Sequence, residues 1–270
     1  MYLEEKESLA AIGRYLKRDP GTIKRALIKE NIPIRSRSEQ NRITNSKRKK
    51  KVNDEYFSTI GINQAWLMGF IAADGTIRKD RNSIKIGLSS VDREILEKIK
   101  EELNIERKIL DYITNNGFSV SELNWTSEKH KEFLAKYNIV NNKTYLPMVV
   151  PDFNSKDLTL AFILGYFDGD GSITISTEKY LRFKIVSHRD EILKSIVSKL
   201  KEIYKNLSYS LSKDSRDLYE LSISTKYSVQ IFKDMYGLKS LRLKRKYDKF
   251  LEYISHETEA SSNKEDEKIC

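Results

Sequence analysis

Cysteine is almost missing from this sequence: 270 residues hold a single one, Cys270, at the last position. One thiol excludes a disulfide framework and a cysteine-based zinc site within the chain, and it fits a reducing compartment. Histidine is nearly as scarce. His130, His188 and His256 have no metal-ligand spacing and read as packing or surface residues. No apolar run approaches the roughly 18 residues a membrane span needs. Glu4, Glu5 and Glu7 stand where a signal peptide would be basic. The expectation is a monomer in the cytoplasm, in the compartment where it is made.

Charge is plentiful. Lysine and arginine number 49 against 39 acidic residues, a formal net charge of +10, which favours an anionic polymer, nucleic acid first, as partner. Residues 1–60 carry 15 Lys and Arg against 8 Asp and Glu. The run Lys47-Arg48-Lys49-Lys50-Lys51 follows a polar stretch, so residues 41–60 read as a basic linker, with Lys49 and Lys50 expected on phosphates.

Before that linker, residues 1–40 read as two short helices. Ser8 to Leu16 is one; Asp19, an N-cap followed by Pro20, opens the second, which buries Ile23, Ala26 and Leu27. Thr22, Lys24, Arg25 and Lys29 then face outward, as on the recognition helix of a helix-turn-helix, and Arg35 and Arg37 could enter a minor groove.

From residue 61 the chain repeats itself. Trp66-Leu67-Met68-Gly69-Phe70-Ile71-Ala72-Ala73-Asp74-Gly75 returns 96 residues later as Phe162-Ile163-Leu164-Gly165-Tyr166-Phe167-Asp168-Gly169-Asp170-Gly171. Each copy continues with an alternating strand (Ser83–Ser89; Tyr180–Val186) and a helix (Asp92–Leu103; Asp190–Tyr204). A further strand (Phe118–Trp125; Tyr219–Ser224) and a second helix (Glu128–Tyr137; Tyr227–Tyr236) follow. The succession is αββαββα, a mixed α+β class, and one copy alone cannot cover both faces of its sheet. Two copies, 61–150 and 151–254, should therefore pack about a pseudo-twofold axis, leaving 255–270, rich in Glu, Ser and Asn, as a frayed tail.

Small residues at helical spacing (Gly69, Ala72, Ala73; Gly165, Gly169) let the two motif helices approach closely, while Trp66, Phe70, Phe162 and Tyr166 are expected to fill each copy's own core. Asp74 and Asp170 occupy the last turn, each before a glycine suited to a left-handed cap. A carboxylate there opposes the helix dipole, at about 0.3–1 kcal/mol each, and its twin lies nearby. Such an arrangement calls for a cation. Hard oxygen donors, few of them from protein, suit Mg²⁺ bridging to phosphate.

These paired motifs resemble the LAGLIDADG homing endonuclease family. The resemblance spans 61 to about 254 and implies saddle-shaped antiparallel sheets over double-stranded DNA, with Asp74 and Asp170 holding divalent ions. The carbonyls of Ala73 and Gly169 would be further ligands. Each site would cut one strand across the minor groove, leaving short 3′ overhangs, as in intron homing. Ala72 departs from the family's usual Asp at the sixth position, where the second copy keeps Asp168. Family members place a basic residue near each metal, matched here by Lys143 in the first half and by Lys244 or Lys246 in the second. Ser90 and Ser187, ending the second strands, would orient water. On the sheets, Arg78, Lys85, Gly87 and Ser89, then Thr174, Ser176, Arg182 and Lys184, alternate with the apolar set and would face DNA. A non-cleaving DNA-binding regulator or an intron RNA maturase on the same scaffold is the alternative.

Overall fold

The computed structural model describes residues 1–48, 52–142, 146–176, 180–224 and 226–266, without side chains for 45–48 and 258–266. Lys49, Lys50 and Lys143 lie outside the described residues. The chain divides into two compact units, 1–51 and 52–270.

The first unit holds three helices, α1 (Leu9–Leu16), α2 (Pro20–Lys29) and α3 (Arg37–Arg48). Ser8 caps α1 by accepting from the Ala11 N–H, and Asp19 caps α2 by accepting from the Gly21 N–H at 2.7 Å. Between them Lys17 turns left-handed (φ 52°), and the Arg18 N–H donates to the Gly13 carbonyl. Tyr2, Ile12 and Ile23 form a small core, backed by Leu9, Leu27 and Ile32. Ala26, expected inward, is exposed, because α2 buries only a narrow stripe.

Two expectations need correcting here. Arg35 is not a free arm: its guanidinium lies 4.0 Å over the Tyr2 ring and donates to the carbonyls of Tyr2, Lys6 and Glu7. Arg37 opens α3, where Ser36 and Glu39 form a reciprocal capping box. Nor is 41–60 one linker. Residues up to Arg48 are helical. Tyr56 and Phe57 are buried in the main core, where Phe57 stacks on Phe133.

The second unit is the duplicated body. Its first half runs α4 (Ile62–Asp74), β1 (Gly75–Ile77), β2 (Ser83–Ser89), α5 (Arg93–Glu102), β3 (Leu110–Ile113), β4 (Ser119–Thr126) and α6 (Glu128–Ala135). The second repeats this as α7 (Lys156–Asp170), β5 (Gly171–Ile175), β6 (Leu181–Ser187), α8 (Asp190–Ile203), β7 (Ser210–Lys213), β8 (Tyr219–Ser224) and α9 (Lys226–Gly237). Each half builds one antiparallel four-stranded sheet, ordered β1-β2-β4-β3 and β5-β6-β8-β7. The expected αββαββα pair is present.

A last helix, α10 (Lys244–Asp266), continues through the stretch expected to fray, in keeping with its helix-favouring Glu, Lys and Ala residues. Alternation sends Ile84, Ile86, Leu88, Leu123 and Trp125 inward from the first sheet, and Phe183, Ile185, Leu221 and Ile223 from the second. The core residues of both halves form one continuous cluster around α4 and α7, which are apolar on all sides and buried from Ala65 to Ala72 and from Thr159 to Asp168.

Candidate functional site

The site begins where α4 crosses α7. A Cβ placed on Gly69 would fall onto the carbonyl oxygen of Phe162, and one on Gly165 onto that of Trp66. The glycines thus serve backbone-to-backbone contact across the pseudo-twofold axis. Further along, the Ala73 methyl occupies the space beside Gly169, and the Asp74 carboxyl carbon lies 3.4 Å from where a Gly169 side chain would start. Asp74 is therefore carried to the residue preceding Asp170. Asp74 is half-buried and Asp170 exposed.

Gly75 and Gly171 do not take the left-handed cap expected of them. Their φ angles are −72° and −94°, so each motif helix runs straight into a strand. Glycine is needed for room: a side chain would meet the Ile71 carbonyl at 2.6 Å in one copy and the Phe167 carbonyl at 2.5 Å in the other.

Asp168 and Trp66 explain the unequal sixth positions. Trp66 is buried with its ring stacked on Phe70, and its Nε1–H reaches across the axis to Asp168 Oδ2 at 2.9 Å, which also accepts from the Leu243 N–H at 3.1 Å. The symmetry-related pair is Phe162 and Ala72, which has neither donor nor acceptor. Acid and indole occur together on one side of the interface and are missing together on the other. Burial pushes the Asp168 carboxyl up to about 7, against the opposing pull of Lys246 and its two donors.

Lys244 and Lys246 separate clearly. Lys244 is exposed and paired with Asp248. Lys246 is buried and spends its three protons on the carbonyls of Phe167, Asp168 and Gly171, at 2.7, 2.7 and 2.6 Å. It thereby caps the end of α7, a favourable place for a cation. Burial lowers its amine to about 8, while Asp168, Asp74 and Asp170 all hold the proton on. The next residue back, Arg245, pairs with Asp92 of the first half at 3.0 Å.

Tyr166, expected in the core, belongs to the site. Its hydroxyl is buried within the influence of Asp170, Ser187 and Asp74, and desolvation followed by the Asp170 charge raises its pKa. Ser187 and Asp170 line the same cavity, of about 290 Å³, with Tyr166, His188 and Arg189. Ser90 is not the counterpart of Ser187. Gly75 pairs with Ile86 and Gly171 with Ile185, so Leu88 matches Ser187. The Ser90 hydroxyl instead accepts from Ser119 and Ser121.

Of the strand residues expected to face DNA, Arg78 and Lys85 line an open groove on the first sheet, joined by Thr76 and Arg107, which no sequence pattern marks, and Ser89 is exposed. Lys85 pairs with Glu122 at 3.1 Å; Lys184, at the equivalent place, pairs with Glu220 at 2.7 Å. Arg182 is exposed beside Thr174, whose hydroxyl is covered. Ser176 accepts from the Tyr180 N–H and so closes the β5–β6 hairpin. In the first unit Thr22, Lys24, Arg25 and Lys29 are all exposed on α2. Lys131, which no sequence pattern marks, holds the β1–β2 hairpin by donating to the carbonyls of Arg78, Lys79 and Arg81.

Among the described residues no three His, Cys, Asp or Glu side chains gather as a metal cluster. A divalent ion here would take a carboxylate oxygen and the end-of-helix carbonyls of Ala73 or Gly169, and leave its other positions to water and phosphate. Hard oxygen donors of this kind suit a divalent cation.

The family model for the LAGLIDADG-like domain matches residues 62–141 and again 157–237. The chain belongs to the LAGLIDADG family. An uncharacterized protein of Methanocaldococcus jannaschii, MJ0314, is 26% identical over 166 residues, 61% of this chain. The match spans 59% of that relative's own length. Among solved structures, the LAGLIDADG homing endonuclease I-GzeII, in complex with its DNA target, is 14% identical with a TM-score of 0.49, covering 76% of this LAGLIDADG chain and 92% of its own. Full-length DUF199/WhiA from Thermatoga maritima is 16% identical with a TM-score of 0.46, covering 80% and 71%. No helix among the described residues is long and apolar enough to cross a membrane.

Proposed function

We propose that this LAGLIDADG protein is a site-specific DNA endonuclease that cuts both strands of a long duplex. One observation carries the reading: α4 and α7 bring Asp74 beside Gly169 and Asp170 at the pseudo-twofold axis. A pure binding protein has no use for two carboxylates at adjoining helix C-termini, where the dipoles disfavour both. Family membership supports it.

Asp74 and Asp170 would hold the divalent ions, with the carbonyls of Ala73 and Gly169. When bound, such ions supply Lewis-acid polarisation of the scissile phosphate and activation of water. Lys246 offsets the accumulated negative charge at the end of α7, and Tyr166 with Ser187 fixes the position of Asp170. On the sheets Arg78, Lys85, Arg182 and Lys184 would contact phosphates and base edges, and α2 would act as the recognition helix of a helix-turn-helix.

The test is incubation of the full chain with a library of long duplexes in Mg²⁺ and, separately, in Ca²⁺. Double-strand cutting in Mg²⁺ is expected. Asp74→Asn or Asp170→Asn should each slow cutting of one strand by about a hundredfold or more, a loss typical of removing transition-state charge stabilisation, while binding in Ca²⁺ persists. Tight, sequence-selective binding without cutting in any metal would overturn the nuclease reading.

A further inference from the structure

The two sheets offer unlike surfaces to a common frame. The pairs Lys85–Glu122 and Lys184–Glu220 mark equivalent points on the outward faces. Glu122 stands opposite Leu110 on β3, and Val120 opposite Tyr112. In the second sheet Glu220 stands opposite Ser212, and one step on, Asp214 pairs with Leu218. Leu110 and Tyr112 therefore occupy the places of Ser212 and Asp214.

Single exposed apolar side chains need no explanation, but these two sit side by side, next to Val120, on the face that also carries Lys85 and Glu122. Leu110 is 51% and Tyr112 45% exposed. The Tyr112 hydroxyl approaches Glu122 at 3.4 Å, which fits the shared face. Gly87, also opposite Glu122, leaves open space where a side chain would project. An apolar strip and a notch thus adjoin a groove rimmed by Arg78, Arg81, Lys85 and Arg107. Those four cations fit the phosphates of a duplex.

In the major groove one base carries an apolar group, the C5 methyl of thymine. We propose that the outer strand of the first sheet reads thymine methyls in one half of the DNA site through Leu110 and Tyr112, and that the second sheet, with Ser212 and Asp214, does not. The target is asymmetric in its chemistry, with thymine required on one arm only. This inference rests on the DNA-binding reading above.

The experiment uses duplexes selected by the full chain from a randomised library, with affinity measured in Ca²⁺. Thymines of each arm are then replaced by deoxyuridine, which removes only the methyl. A drop of about fourfold in affinity per contacted methyl is expected on one arm, the worth of one buried methylene, and little change on the other. Leu110→Ser combined with Tyr112→Ser, both at exposed positions, should abolish that sensitivity while circular dichroism and the other arm's preferences stay unchanged. An enriched duplex whose two arms are equally indifferent to the methyl, or a sensitivity that survives the double variant, would overturn the proposal and leave DNA recognition standing. Failure to enrich any duplex would overturn the DNA-binding reading itself.

Discussion

At His130 a single side chain decides where a segment belongs. Its Nδ1 accepts from Trp125 Nε1 at 3.1 Å and its Nε2 meets the Asn53 carbonyl at 2.8 Å, so the ring is held neutral with the proton on Nε2. Phe57 packs edge-on against it at 5.0 Å. Residues 53–57 are thereby fastened to the first half. Burial lowers the His130 pKa from its ordinary 6.5, and the Asn53 carbonyl opposes that only in part. The unfolded chain then binds more protons than the native one below pH 6.5, so stability present above that value is lost as pH falls. His130→Gln supplies one acceptor and one donor without a titrating group. Melting temperatures between pH 5 and 7 should show a flatter acid limb for the variant than for the parent, and equal slopes would refute this role.

Among elements, α4 and α7 carry the greatest weight because their backbones touch. Gly165→Ala would drive a methyl into the Trp66 carbonyl, with no flexible side chain to yield. The helices would have to separate, and overpacking of this kind costs about 1–3 kcal/mol or more. A drop of several degrees in melting temperature is expected, against almost none for Gly87→Ala, which meets open space. Separation would also move Asp74 away from Asp170, so cutting should fall further than stability alone explains. The end of α7 is set by another element altogether: α10 delivers Lys246 to three carbonyls and Arg245 to Asp92, which ties both halves to one helix start.

For the molecule as a whole, the division at residue 51 predicts separable stability. The fragment 52–270 contains the complete large core and should unfold cooperatively at close to the full chain's temperature. Removing residues 1–51 takes away a basic segment, so DNA affinity should fall. The slope of log K against log salt should become shallower by roughly 0.9 for each phosphate that the first unit had neutralised. An unchanged slope would show that the first unit neutralises none.

Much of this was already legible in the amino-acid order. The duplication, the αββαββα succession and the inward residues of each sheet follow from periodicity, because a strand alternates and a helix repeats whatever its neighbours are. Asp74 and Asp170 stood out because carboxylates at helix C-termini are locally unfavourable. Pairings between distant segments were not legible. Lys246 and Lys244 look alike in sequence; only the seating of α10 against α7 buries one and leaves the other in solvent. Arg35 resembled a free arm until the fold brought three carbonyls to its guanidinium. Tyr166 and Phe70 are interchangeable by hydrophobicity, and strand register alone places Ser187, but not Ser90, beside the carboxylate. The sequence determined which elements form and which faces they bury. Tertiary structure decided which polar groups are spent holding those elements together, since burial and hydrogen bonding depend on residues far away along the chain.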